Sequence, residues 1–168
     1  MKEYSLPGSE KISTAAKSNC LSSAFVNSIF ALLCVILSIV FWFLCFQSSK
    51  SKAAYIHIVF QFILAVLAIV TIVVVKKTEV ELKFSQPIGE FMVACKAVVI
   101  ANFIVWTIVF VSAVGMRALW QNTVFEKRSA MDESQLKDFI GRTNSYQYGL
   151  FITLMAELFF FGMMICRI

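Results

Sequence analysis

The chain is poor in the groups that carry chemistry. Charged residues fill 15% of its 168 positions, against roughly a quarter in soluble domains, and His57 is the single histidine. Hydrolysis needs paired acids, a Ser–His arrangement or a cluster of metal-binding histidines. One histidine and one acid isolated inside an apolar run build none of these, so no enzyme, no metal site and no cofactor is expected. There is no Cys-x-x-Cys, and Cys34, Cys45, Cys95 and Cys166 lie in or at the rim of apolar runs, which excludes a disulfide framework. No Asn-x-Ser/Thr sequon occurs, so glycosylation gives no clue to sidedness. A cleavable secretory signal is also missing: residues 1–23 are polar, and the first apolar run is too long for a signal h-region. That run is expected to remain as an uncleaved first span.

What the chain does have is apolar length. Hydrophobic residues make up 60% of it and the mean hydropathy is +0.81, the composition of a protein folded in lipid. Four runs are long enough to cross a bilayer, at residues 24–46, 54–75, 91–115 and 148–168; the first, at 1.5 Å per residue, is roughly 34 Å long. The predicted fold is an all-α membrane protein, a four-transmembrane-helix antiparallel bundle at 24–168 behind a polar, mobile tail at 1–23. The aromatic cluster Phe41, Trp42, Phe43 and Phe46 suits the interfacial belt. The link at 47–52 is short enough to make the first two spans antiparallel neighbours.

Between the second and third spans, Val80, Leu82 and Phe84 alternate with Glu79, Glu81 and Lys83, a strand period that predicts a short extended segment ended by Pro87 and Gly89. The longest link, 116–147, contains DESQLKDFIG, read as a surface helix with Leu136, Phe139 and Ile140 on one face and Gly141 as its stop. Cys20 lies just before the first span. A plain reduced thiol is the simpler reading of it, and reversible palmitoylation is the alternative.

Lysine and arginine flank the spans instead of gathering on one face, which argues for interfacial anchoring and against nucleic acid as a partner. Lys2, Lys11, Lys17, Lys76, Lys77, Lys83 and Arg167 fall on one side, and Lys50, Lys52, Arg117, Lys127, Arg128, Lys137 and Arg142 on the other. The positive-inside rule is therefore balanced, and cytosolic termini are expected from the first span acting as a signal anchor.

Glu157, near the middle of the fourth run, must face other helices or a wet cavity. Counting residues from the shared membrane face places Asn102 of the antiparallel third span at the same depth. The two are expected to form an intramembrane polar pair, with a neutral Glu157 carboxyl hydrogen-bonded to Asn102 and locking helix four to helix three. Lys96 is near enough to its membrane face to snorkel outward. Ala94, Ala97 and Ala101 form a smooth stripe for close helix approach. His57 and Gln61 share a helical face, with structural or interfacial packing, and not metal ligation, the expected role of His57.

The order of polar tail, four spans, short first link and longer last link is similar to that of small four-pass families such as MARVEL-domain and synaptophysin-type vesicle proteins. The similarity is one of span order, and implies a four-pass layout. The CCG motif and cysteine-rich loop of tetraspanins, and the W…GLW…C…C loop of claudins, are absent. Together these features predict a multi-pass protein of the plasma membrane or of secretory or vesicle membranes. Its expected partners are the lipid bilayer and other membrane proteins or copies of itself. It would act by association: organising, trafficking or stabilising partners, or taking part in a contact or fusion step, with 116–147 as the working surface. The competing reading is a small transporter or channel subunit that uses Glu157.

Overall fold

The computed structural model describes the backbone of residues 7–49, 52–83 and 89–167, and side chains over 17–45, 54–82, 92–122 and 124–166. The described residues form four helices: α1 (Pro7–Ser49), α2 (Lys52–Lys83), α3 (Gly89–Lys127) and α4 (Glu133–Arg167). Each is long and apolar enough to cross a membrane, and each predicted span lies within one of them, apart from Ile168, which is outside the described residues. They form an antiparallel bundle, a ring in which α1 meets α2 and α4, and α3 meets α2 and α4. The α1–α4 contact is the most extensive and the α3–α4 contact the sparsest.

Lipid-facing positions carry large aliphatic and aromatic side chains, such as Leu33, Leu37, Val66, Val73, Ile104 and Val111. In hydrocarbon these need no burial, so the interior is chosen by fit and by polarity instead of by greasiness. The buried positions make this visible. On α1 they are Leu21, Ala24, Ser28, Ala31, Val35, Ser38, Trp42 and Cys45, and on α2 Ala54, His57, Gln61, Leu64, Ala68, Thr71, Val75, Thr78 and Leu82. On α3 they are Cys95, Val99, Asn102, Trp106, Val109 and Ala113, and on α4 Thr143, Gln147, Leu150, Leu154, Glu157, Phe161 and Met164. These positions are spaced alternately by three and four residues, the heptad of a left-handed coiled-coil seam, with Ile58, Glu79 and Thr153 also buried off that alternation and Trp120 buried one heptad past Ala113.

Register is set by a few contacts. The Phe41 ring lies against Gly149, where a Cβ would stand 2.5 Å from Cε1, so glycine admits α1 to close range. Farther along, Phe30 stacks on Phe160 at 5.4 Å. Trp106 Nε1 donates to the Leu154 carbonyl at 3.0 Å, joining α3 to α4.

Several helix boundaries differ from the sequence reading. The segment predicted to be a mobile tail is helical from Pro7, and Leu21 already sits on the α1 seam; residues 1–6 lie outside the described residues. The expected extended segment is instead the end of α2, which runs to Lys83 because Thr78 and Leu82 continue its seam. Phe84 and Pro87 lie outside the described residues. Trp42, one of the aromatic residues expected in the interfacial belt, turns inward against Ala54 and Ile58.

Gly141 does not stop a helix either. α4 runs unbroken from Glu133, its first turn capped by Asp132, whose carboxylate accepts from the Glu133 N–H at 3.0 Å. A mid-helix glycine costs about 1 kcal/mol relative to alanine, less than the packing of the Thr143–Gln147–Leu150 seam that follows. The longest link is therefore a helical hairpin: α3 continues to Lys127, a short turn follows, and α4 returns from Glu133. From the Phe41–Gly149 level, Ser49 stands beside about residue 141. The hairpin thus extends roughly 12 Å beyond the α1–α2 turn at 1.5 Å per residue.

Candidate functional site

The seams carry a column of buried polar side chains along the bundle axis. Its centre is Glu157 on α4, which is wholly buried. Ser38 of α1 donates to Glu157 Oε1 at 2.5 Å and lies 2.8 Å from the Thr153 hydroxyl. Gln61 of α2 donates through Nε2 to the same carboxyl oxygen at 3.3 Å. Glu157 Oε2 and Gln61 Oε1 have no hydrogen-bond partner, so the centre holds two acceptors awaiting a donor. A proton on the carboxyl, a water or a small cation would answer that need.

One turn along α2 toward the hairpin, His57 Nδ1 is 2.7 Å from Ser112 Oγ of α3. Ser112 directs its own hydroxyl to the Val109 carbonyl at 2.7 Å. Ser112 has one proton for two acceptors, so the direction of its bond with His57 follows the imidazole tautomer. His57 Nε2 is buried without a partner. At the mouth of the hairpin, Arg117 donates to Gln147 Oε1 at 3.1 Å and lies over the Tyr148 ring.

Toward the termini the polar pairs are smaller. Asn102 Nδ2 donates to Thr71 Oγ1 at 2.7 Å and to the carbonyl of Val98 at 2.8 Å. Thr78 Oγ1 and Cys95 Sγ are 3.2 Å apart. At that end Ser22 and Lys76 both reach Glu79, at 3.2 and 3.0 Å. Leu64 and Ala68 occupy the α2 seam between Gln61 and Thr71, so an apolar layer divides the column.

The expected Asn102–Glu157 pair does not form. Equal depth was the sound part of that reading: Trp106 bonds the Leu154 carbonyl, and one turn further along each helix stand Asn102 and Leu158, next to Glu157. The error lies in direction. Helical side chains lean toward the N-terminus of their own helix, and α3 and α4 are antiparallel, so two side chains at one height lean apart. Asn102 leans back to Val98 and Glu157 leans toward Thr153 and Ser38. Glu157 consequently ties α4 to α1 and α2, not to α3.

The remaining sequence candidates are spread out. Ala94 and Ala97 are exposed and Ala101 half-buried, so the alanine stripe lies on the outward flank of α3 instead of between helices of this chain. Lys96 is exposed and Cys20 is half-buried on α1. Thr107 faces outward, its hydroxyl bonded to the Phe103 carbonyl. His57 is wholly buried near the start of α2. Ser38 and Ser112 were not read as partners of Glu157 and His57. Their signal was seam spacing, since Ser38 continues the Ala31–Val35 interval on α1. All five cysteines are free thiols. Among the described residues no three His, Cys, Asp or Glu side chains gather into a metal-binding group.

No protein-family model, curated protein or solved structure matches the chain. Its function is therefore argued from its own geometry.

Proposed function

We propose that this integral membrane protein works by association, organising, trafficking or stabilising other membrane proteins, or serving a contact or fusion step. The observation that carries the reading is the α3–α4 hairpin, which rises past the end of α1 and α2 and presents Phe125 with 77% of its surface exposed. A rigid helical projection bearing an uncovered aromatic ring is well suited to anchor in a partner's pocket. Its base is stiffened by the Trp120–Phe139 ring contact at 4.9 Å and by Lys127 over the Phe139 ring at 4.5 Å. The membrane would be the plasma membrane or one of the secretory or vesicle membranes. With the termini cytosolic, the hairpin would face the opposite compartment.

Cross-linking a tagged full-length chain in its native cells tests this. A stoichiometric membrane-protein partner, lost on Phe125→Ser with expression unchanged, is the expected result. A purified chain that moves a solute unaided in liposomes, with Phe125→Ser behaving as wild type in cells, would overturn it.

A second reading is favoured by the unpartnered atoms at Glu157, Gln61 and His57. In a small transporter or channel subunit these groups would exchange a proton or hold a cation in transit. Proton-dependent flux abolished by Glu157→Gln would support this reading, and full activity of that variant would remove it.

A further inference from the structure

Where α1 leaves the hydrocarbon and the hairpin begins, a crevice of about 510 Å³ opens between Leu44 of α1 and one face of the hairpin. Two cations line it, Lys127 from α3 and Arg142 from α4, with one acid, Asp138, 3.7 Å from Arg142 in an exposed pair. Such a pair is worth little in water, so Arg142 can turn to a better anion without loss.

Thr143 also lines the crevice. It is 1% exposed, and its hydroxyl has no hydrogen-bond partner. Thr71, Thr78, Thr107, Ser145 and Thr153 each donate to the carbonyl one turn back along their own helix, which is how helical hydroxyls in these spans satisfy themselves. Thr143 departs from that habit at the wall of a cationic crevice. Tyr146 adds a phenol beside it, and Leu44 gives the side nearest the bilayer an apolar surface. The net charge of the lining, its unused hydroxyl and its level at the membrane surface all fit the same chemical group.

We propose that this crevice binds the phosphodiester of a membrane phospholipid. Lys127 and Arg142 pair with the phosphate, Thr143 donates to it, and the acyl chains descend past Leu44 along α1. A lipid is favoured over free phosphate because the crevice has an apolar edge that continues into the bilayer. The proposal concerns the base of the hairpin and is independent of what its tip binds.

The full chain in maltoside detergent, titrated with dioleoylphosphatidylglycerol while thermal unfolding is followed, provides the test. Dioleoylglycerol, which has the same chains and no phosphate, and soluble glycerophosphate serve as controls. The expected result is a melting temperature raised by several degrees with phosphatidylglycerol and unmoved by either control. The double variant Lys127→Gln, Arg142→Gln should lose the rise, and Thr143→Val should weaken the response several-fold. Arg128→Gln combined with Lys137→Gln, an equal charge change outside the crevice lining, should retain it. Arg142 is exposed and Lys127 also lies over the Phe139 ring, so each variant's response is read as a rise from its own lipid-free melting temperature. An equal rise with dioleoylglycerol, a rise with glycerophosphate alone, or a wild-type response in the double variant would overturn the proposal.

Discussion

On the side of the termini, Asn102 places its amide hydrogens on Thr71 and Val98, and Thr71 passes its own proton to the Leu67 carbonyl. On the side of the hairpin, Glu157, Gln61 and His57 each make a bond and each keep a buried atom with none. The same kind of helix seam, in the same lipid, leaves acceptors over in both halves, since Asn102 Oδ1 is also without a partner. What differs is how they are grouped. A helix, whose N–H groups are already bonded, supplies them no donor. Asn102 leaves one neutral amide oxygen, whereas Glu157 and Gln61, bonded to each other, leave one oxygen each. The hairpin half thus gathers its spare acceptors around an ionisable group.

The largest effect expected from breaking this contrast is steric. Gly149→Leu should drive the Phe41 ring off α4 and destabilise the bundle by roughly 3 kcal/mol, the upper range for overpacking. Gly162→Leu, where nothing lies within 4 Å of an added Cβ, should cost far less; unfolding in mixed detergent and SDS micelles compares the two.

Next comes a matched pair. Ser38→Ala should cost about 2 kcal/mol, because the buried Glu157 carboxyl loses its nearest partner, while Thr71→Ala should cost about 1 kcal/mol, because Asn102 keeps the Val98 carbonyl. Equal costs in the same unfolding assay would erase the distinction between the halves. Trp106→Phe removes the bond to the Leu154 carbonyl while an aromatic ring remains to stack on Phe110. It should cost about 1 kcal/mol and loosen α4 from α3, seen as faster cross-linking of cysteines introduced on that seam.

The smallest effect on stability is expected from Glu157→Gln. The amide has the shape of the carboxyl and accepts from Ser38 in its place, so melting should move by less than about 1 kcal/mol. Proton flux, if the chain carries any, should vanish.

The spans were legible because unbroken apolar length is all that crossing a bilayer requires. Their ends were not. Residues 17–23, the end of α2 and the base of α4 are rich in polar residues and continue seams begun inside the membrane, through Leu21, Thr78 and Leu82, and Thr143 and Gln147, so a local period misled at Val80 and Leu82, and Gly141 looked like a stop. The inward faces were hidden for a related reason. Leu33 and Leu37 face lipid while Ala31 and Val35 face inward, and hydropathy does not rank those sides. Polar residues do: Gln61, Thr71 and Thr78 fall on one three-four repeat along α2, and following it would have marked that helix's interior. Depth along the axis was countable, and so Asn102 and Glu157 were placed at one height. The direction of lean was not, since it depends on which end of each helix points where.

The broadest contact in the bundle joins α1 to α4, the pair farthest apart in the chain. During synthesis α1, α2 and α3 must therefore wait in the translocon or its lipid annulus with Ser38 and Gln61 lacking their carboxyl, until α4 has been made and slots in between α1 and α3. A nascent chain stopped short of α4 leaves those two polar groups without the carboxyl that joins them in the finished molecule.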